Sequence, residues 1–225
     1  MEQFQHLYAS DGEVDDRSVK IQTLPIPLHV KYGGSDPWID RPEKHCARVR
    51  SFPHFQGNYP SSLYIRSVFK HDAQYQDLNL VPEEDRHISL TKTFTLRKHE
   101  IQPLLSAVAS VVGDMVQFQV SLQKFAVFIN EERTRTFLSL LVSNPEQVES
   151  IIAKIDHCME RFGLPVYYNP AIAHSTFAWI AGDHYRAIAQ LIDSLTDGPI
   201  VSVQVQEIYA KIGDKEYSIP LKVTI

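Results

Sequence analysis

The chain has 225 residues, 44% of them apolar and 22% charged, which is enough to bury a sizeable core in one compact, possibly two-lobed domain. Its formal net charge of −5 argues against a protein that coats nucleic acid nonspecifically, without excluding one that grips a few nucleotides at a strand end. No apolar run approaches the roughly 20 residues needed to cross a bilayer, no signal peptide opens the chain, and two cysteines, Cys46 and Cys158, make neither a disulfide framework nor a CxxC pair.

A soluble protein of a reducing compartment, cytosol or nucleus, is therefore expected. Residues 1–20 read as a disordered acidic leader, because Asp11-Gly12-Glu13-Val14-Asp15-Asp16 offers almost nothing to bury. The folded domain is expected over 21–225. It begins with the extended, proline-stiffened Leu24-Pro25-Ile26-Pro27-Leu28 and a loop at Gly33-Gly34-Ser35-Asp36-Pro37. Strands are predicted at 48–52 and 62–68, with Gln56-Gly57-Asn58 turning between them. A further strand is predicted at His87-Ile88-Ser89-Leu90.

A helix is predicted around 98–112, with Pro103 in or near its first turn. Strands follow at 116–120, 124–129 and 136–142. A second helix is marked by Val148, Ile151, Ile152, Ile155, Cys158, Met159 and Phe162 at i, i+3, i+4, i+7 spacing. Asn144 is placed to cap it, Pro145 to occupy its first position and Gly163 to end it. After a strand at 174–180, a third helix runs from about Asp183 on a stripe of Ala187, Ile188, Leu191, Ile192 and Leu195. Strands at 201–208 and 217–223 close the chain.

The order of elements repeats. After His87 come a strand, a helix and a strand pair, and after His174 come a strand, a helix and a strand pair. Residue identity between the halves is faint, so the repeat is one of structure. It predicts a pseudo-twofold arrangement that brings the two histidine strands to a shared cleft.

Side chains at i and i+2 of a strand share a face. His87 therefore points with Ser89, and His174 with Thr176. Imidazole is the natural proton carrier near neutral pH, and a hydroxyl can donate to a phosphate oxygen. Two imidazoles flanking a phosphodiester make an acid–base pair, each transfer worth roughly 10²–10⁴-fold in rate. RNA supplies its own nucleophile in the 2′-hydroxyl, so the attack is intramolecular and needs no metal. With ten histidines, roughly one or two His-x-Ser/Thr matches arise by chance. The weight thus lies in the corresponding placement of the two pairs, since either alone reads more readily as a structural histidine than as a site. None of the remaining histidines has zinc spacing, and His71, His99 and His184 read as surface or helix-terminus residues. Arg48 with Arg50, and Arg133 with Arg135, alternate at strand spacing and could draw RNA to the cleft or simply line a solvated face. Tyr64 is a candidate base-stacking residue by position alone.

His87-Ile88-Ser89-Leu90 and His174-Ser175-Thr176-Phe177 resemble the paired motifs of the two-histidine phosphoesterases. Within that superfamily the chain is similar to the enzymes that trim the 3′ end of U6 small nuclear RNA, a spliceosomal RNA. The resemblance spans about residues 24 to 222. It includes Leu24-Pro25-Ile26-Pro27, Arg48-Val49-Arg50-Ser51-Phe52-Pro53-His54, Gly57-Asn58 and Glu132-Arg133-Thr134-Arg135-Thr136-Phe137.

The resemblance implies an α+β, bilobal fold, with two pseudo-symmetric antiparallel-sheet lobes and flanking helices around a central cleft. It implies a metal-independent 3′-to-5′ exoribonuclease without a cofactor, acting on a uridine-rich 3′ end and leaving a 2′,3′-cyclic phosphate or a terminal phosphate. His87 and His174 carry over as the catalytic pair, and Ser89 and Thr176 as the phosphate-binding hydroxyls. Tyr168 matches a position at which the family stacks the terminal base, and it reads equally as a loop tyrosine filling a gap. Thr176 stands where close relatives often have serine. Nuclear residence is implied by the resemblance alone, and a monomer without membrane contact is expected. Two alternatives stay open: a hydrolase of small 2′,3′-cyclic nucleotide phosphates, and a catalytically silent RNA-binding module.

Overall fold

The computed structural model describes residues 22–24, 57–69, 80–193 and 200–223. The acidic leader, the proline-rich segment beyond Leu24, the 33–37 loop, the 48–52 strand with Arg48 and Arg50, Cys46, His71 and Leu195 lie outside the described residues. The elements are β1 (Gln22–Leu24), β2 (Tyr59–Arg66), β3 (Val81–Pro82), β4 (His87–Ser89), β5 (Phe94–Leu96), α1 (Lys98–Val112), β6 (Phe118–Ile129) and β7 (Arg135–Val142). After them come α2 (Glu146–Arg161), β8 (His174–Ala181), α3 (Tyr185–Asp193), β9 (Val201–Val205), β10 (Glu207–Ile212) and β11 (Lys215–Pro220).

The strands form one sheet in the order β1-β11-β10-β2-β4-β8-β7-β6-β9, with β3 on β8 and β5 on β2. Its named strand pairs are all antiparallel. The α+β class expected from the sequence is thus present. The two histidine strands, β4 and β8, lie side by side at the middle of the sheet, joined through the single register pair Ile88↔Ser175.

Period-2 alternation sets which face each strand shows. Ile88 and Leu90 on one side, and Ser175 and Phe177 on the other, are buried, whereas His87, Ser89, His174 and Thr176 are half-buried on the opposite face. The buried side chains join one apolar cluster with Leu104, Leu105 and Val108 of α1, and with Val148, Ile151, Ile152 and Ile155 of α2. The amphipathic stripe of α2 is buried as its spacing predicts, apart from Phe162, which is only partly covered. Gly163 ends α2 at φ 65, a backbone region that costs glycine little.

Several expectations need correction. Asn144 does not cap α2. Its Oδ1 accepts from the Ser121 amide at 2.7 Å and its Nδ2 donates to the Gln119 carbonyl at 3.0 Å, so its side chain ties down β6 while Pro145 takes the cap position. Pro103 lies at the sixth residue of α1, deeper than its first turn; it is exposed, so the His99 carbonyl deprived of an i+4 donor can turn to water. The two strands expected at 116–120 and 124–129 are largely one strand, β6. Lys124 adopts φ 64, and the register against β7 slips between Gln123 and Phe125. The bulge flips the inward phase from Val120 and Leu122 to Phe125 and Val127, so period-2 spacing divides one strand into two. The expected strand 201–208 is instead two, parted at Gln206: β9 pairs with β6, and β10 pairs with β11 and β2.

This division crosses the halves. The β6–β7 pair that follows His87 in sequence flanks the strand of His174. The β10–β11 hairpin that follows His174 stands on the β2 side of His87.

Candidate active site

The β4–β8 register makes the pairing of motifs definite. Continuing Ile88↔Ser175 by one residue each way sets His87 opposite Thr176 and Ser89 opposite His174. Each imidazole therefore faces the other strand's hydroxyl, and the two histidines occupy diagonal positions roughly 7–8 Å apart at the backbone. One phosphate group fits that span.

Both rings are held alike. His87 Nδ1 lies 2.6 Å from the Asp85 carbonyl, and His174 Nδ1 lies 2.7 Å from the Ile172 carbonyl. In each case the acceptor is the residue two positions earlier. A carbonyl only accepts, so Nδ1 must carry the proton and the neutral ring presents an unprotonated Nε2. Removal of its ring from water is the main reason that His174 is held below the ordinary histidine value of 6.5. The Ile172 carbonyl pushes it back up, and charge on His87 pushes it down again, so the imidazoles sense each other.

Their surroundings differ. Phe128 of β6 stacks on His174 with centroids 3.9 Å apart and planes at 19°. Tyr64 of β2 leans on His87 at 5.2 Å and 57°. The Thr176 hydroxyl lies 2.9 Å from that of Ser139, which is fully buried on β7. With Ser139 donating, the Thr176 O–H is left to donate outward. The buried core face carries a second hydroxyl pair, Ser67 and Ser175, 2.6 Å apart, linking the end of β2 to β8 beneath β4.

Tyr168 lies on the loop between α2 and β8 and is 49% exposed. It stands edge-on to Tyr167 at 5.3 Å. The Lys92 ammonium sits 4.3 Å from its ring centroid and 3.0 Å from Glu131 Oε1. Burial first, and then Glu131, push the Tyr168 hydroxyl up, with Lys92 opposing. Tyr64 has its ring against those of His87 and Tyr209 and its hydroxyl on Glu216.

Arg133 and Arg135 do not make a same-face strand pair. Arg133 lies in the turn before β7 at φ 54 and donates from Nε to Asp183 at 2.8 Å, while Arg135 opens β7 with its guanidinium 5.4 Å from the Phe137 ring. His99 is exposed in the first turn of α1, and His184 is exposed just before α3, as expected. Among the described residues, no group of three or more His, Cys, Asp and Glu side chains is arranged to hold a metal ion, and no helix is long and apolar enough to cross a membrane.

Sequence reasoning missed Ser139, Phe128, Arg66, Tyr209 and Glu216. A signal existed for Ser139, a lone hydroxyl inside the apolar run Phe137-Leu138-Ser139-Leu140-Leu141. For Arg66 and Glu216, 150 positions apart, no local pattern links them.

Three comparisons bear on this arrangement. A family model described as HVSL, uncharacterised conserved protein, matches residues 22–84 and 66–220. The chain is 32% identical to U6 snRNA phosphodiesterase 1 of Danio rerio, over 88% of this chain and 81% of that one. It is 30% identical to U6 snRNA phosphodiesterase 1 of Drosophila melanogaster, over 82% and 78%. Among solved structures, Kluyveromyces marxianus Usb1 superposes with a TM-score of 0.52 at 16% identity, over 73% of this chain and 98% of that one, which speaks to the fold alone.

Proposed function

The chain belongs to the U6 snRNA phosphodiesterase family, and on that premise we propose that it trims the uridine-rich 3′ end of U6 small nuclear RNA as a 3′-to-5′ exoribonuclease, with His87 and His174 as its acid–base pair. The observation that carries the assignment of the pair is the matched pose of the two rings. Each has Nδ1 tied to the carbonyl two residues back, and each lies across from the other's hydroxyl partner.

In this reading the 2′-hydroxyl of the penultimate nucleotide attacks the terminal phosphodiester. The P–O2′ bond forms as the P–O5′ bond breaks. One Nε2 takes the 2′-hydroxyl proton and the other ring delivers a proton to the leaving 5′ oxygen. The shortened RNA ends in a 2′,3′-cyclic phosphate, which water can open to a terminal phosphate by the reverse proton traffic. Ser89 and Thr176 hold the non-bridging oxygens as their charge grows, Thr176 with its own oxygen accepting from Ser139. The desolvated His174 ring, unprotonated down to lower pH, suits the base of the first step. Tyr168, exposed beside the Lys92–Glu131 pair, is the platform for the terminal base, a contact worth ~1–3 kcal/mol. A nuclear site of action goes with this substrate.

The test is mass analysis of oligouridine incubated with the protein in EDTA, carrying either a 2′-hydroxyl or a 2′-deoxy group at the penultimate nucleotide. Stepwise shortening to cyclic-phosphate ends is expected for the first, and no cleavage of the terminal linkage for the second. Equal shortening of both would sink the transesterification mechanism. His87→Ala and His174→Ala are each expected to abolish cleavage while keeping the far-UV spectrum, and a variant that retained activity would lose its place in the site. Turnover confined to small 2′,3′-cyclic phosphates would favour the hydrolase reading, and binding without cutting the silent module.

A further inference from the structure

Four side chains from four strands close around Tyr64: His87, Arg66, Tyr209 and Glu216. It shares the sheet face of His87 and Ser89, because the β2–β4 register sets Tyr64 opposite Ser89 and Arg66 opposite His87. Its hydroxyl donates to Glu216 Oε1 of β11, and Arg66 Nη2 donates to Oε2 of the same carboxylate. One carboxyl group, its side chain only 13% exposed, thus grips two residues of β2 from across β10. Between them lies Tyr209 of β10, paired opposite Tyr64, with ring planes at 22° and centroids 5.8 Å apart. The Arg66 guanidinium lies 4.1 Å over the Tyr209 ring. The remaining side of Tyr64 meets the His87 imidazole.

We propose that Tyr64 is a positioning residue for His87, held in place by Glu216, Arg66 and Tyr209, and is not a surface for a substrate base. The inference rests on the proposed function for the identity of the reaction. The physical case is one of degrees of freedom. The hydrogen bond from Nδ1 to the Asp85 carbonyl fixes one edge of the His87 ring but leaves it free to rock about that bond. A neighbouring ring limits the rocking only if it is itself immobile. An exposed tyrosine hinged on one strand would not be, since side-chain torsions relax in picoseconds to nanoseconds. Tethering the Tyr64 hydroxyl to a carboxylate two strands away removes that freedom. His174 needs no such device, because Phe128 stacks on it at van der Waals distance. The two halves therefore reach the same end, a fixed imidazole, by an apolar contact on one side and a polar tether on the other.

The experiment compares Tyr64→Phe, Glu216→Ala, their combination and Glu216→Gln by steady-state cleavage of oligouridine, with thermal melting as a check on folding. Tyr64→Phe keeps the ring and loses only the tether. Each of the first two variants is expected to lower kcat by about tenfold with KM held within about twofold, in the range by which small misplacements cost rate. The double variant should fall no further, because both cut the same link. Glu216→Gln, which still offers Tyr64 an acceptor, should keep most of the activity. A Tyr64→Phe variant with unchanged kcat would overturn the proposal, as would additive losses, or a raised KM at constant kcat, which is the mark of a substrate contact. A second readout needs no substrate. Long-range 1H–15N spectra should show sharp His87 ring resonances of one Nδ1–H form in the parent protein and the same form broadened by ring motion in Tyr64→Phe, and identical line widths would reject the clamp. A parent protein that cuts no RNA would count against the proposed function and leave this spectral test standing.

Discussion

At the scale of single residues the site is defined by what each imidazole touches, Phe128 stacked on His174 and Tyr64 tilted against His87. His174 is held below 6.5, chiefly by desolvation and further by charge on His87. For folding, the sign follows from proton counting. Between the lowered native value and 6.5 the unfolded chain binds a proton that the native ring refuses, so stability rises with pH through that window and is lost as pH falls through it. For catalysis, a base with that value stays competent to lower pH. The acid limb of kcat/KM is therefore expected below pH 6.5, and the histidine resonances of His174 should titrate at the same midpoint. His87→Ala should move the His174 midpoint up, because a positive neighbour is gone, but not back to 6.5, because burial is the larger cause. A His174 midpoint at or above 6.5 in the parent protein would remove the ground for choosing His174 as base. The two histidines and their hydroxyl partners were legible in the sequence because period-2 spacing fixes their common face. Ser139, Phe128 and Glu216 were not, because what they do depends on which strand lies next to which.

At the scale of elements, the seam between β4 and β8 carries the site on a single register pair. Short pairing this near the chemistry calls for another fastening, and the Ser67–Ser175 hydroxyl pair, fully buried with 2.6 Å between oxygens, supplies one beneath it. The middle residue of the second motif is thus explained: Ser175 turns to the core while its neighbours His174 and Thr176 turn to the cleft. Ser175→Ala leaves the Ser67 hydroxyl unpaired in an apolar interior and is expected to cost about 1–3 kcal/mol. Ser67→Ala should cost a similar amount. The double variant should cost no more than either, since no orphaned group remains. Urea unfolding of the four proteins measures the coupling, and strictly additive losses would show that the two hydroxyls act separately. The elements best read from sequence were the helices, α2 above all, because a 3.6-residue stripe identifies itself within one segment. The strands were located, yet β6 was divided and β9–β10 fused. A bulge reverses the inward phase within one strand, and a single residue, Gln206, separates two strands that join different partners.

At the scale of the whole molecule, the sequence repeat and the spatial pseudo-symmetry do not coincide. The pair β6–β7 serves His174 although it follows His87, and β10–β11 serves the His87 side although it ends the chain. Neither half of the sequence therefore contains a complete lobe. The core repeats the same fact: Ile208, Ala210, Ile212 and Ile219 of the last hairpin belong to one apolar cluster with residues of α1, α2, β7 and β8. Two lobes built from contiguous halves could unfold separately, whereas lobes exchanged in this way should melt as one. A chain ending after Gln206 tests the point, because of the described elements it keeps β1 to β9 with α1, α2 and α3 and loses β10 and β11. If the His174 side were an independent unit, this chain would keep a cooperative urea transition with buried Trp179. The exchanged topology predicts instead that it loses the sharp transition altogether, with circular dichroism and tryptophan fluorescence both flattening. In the intact protein the same two probes should report coincident midpoints. A truncated chain that unfolds as cooperatively as the full one would mean that the seam between β4 and β8 divides two independent bodies. The catalytic cleft would then be free to open along it.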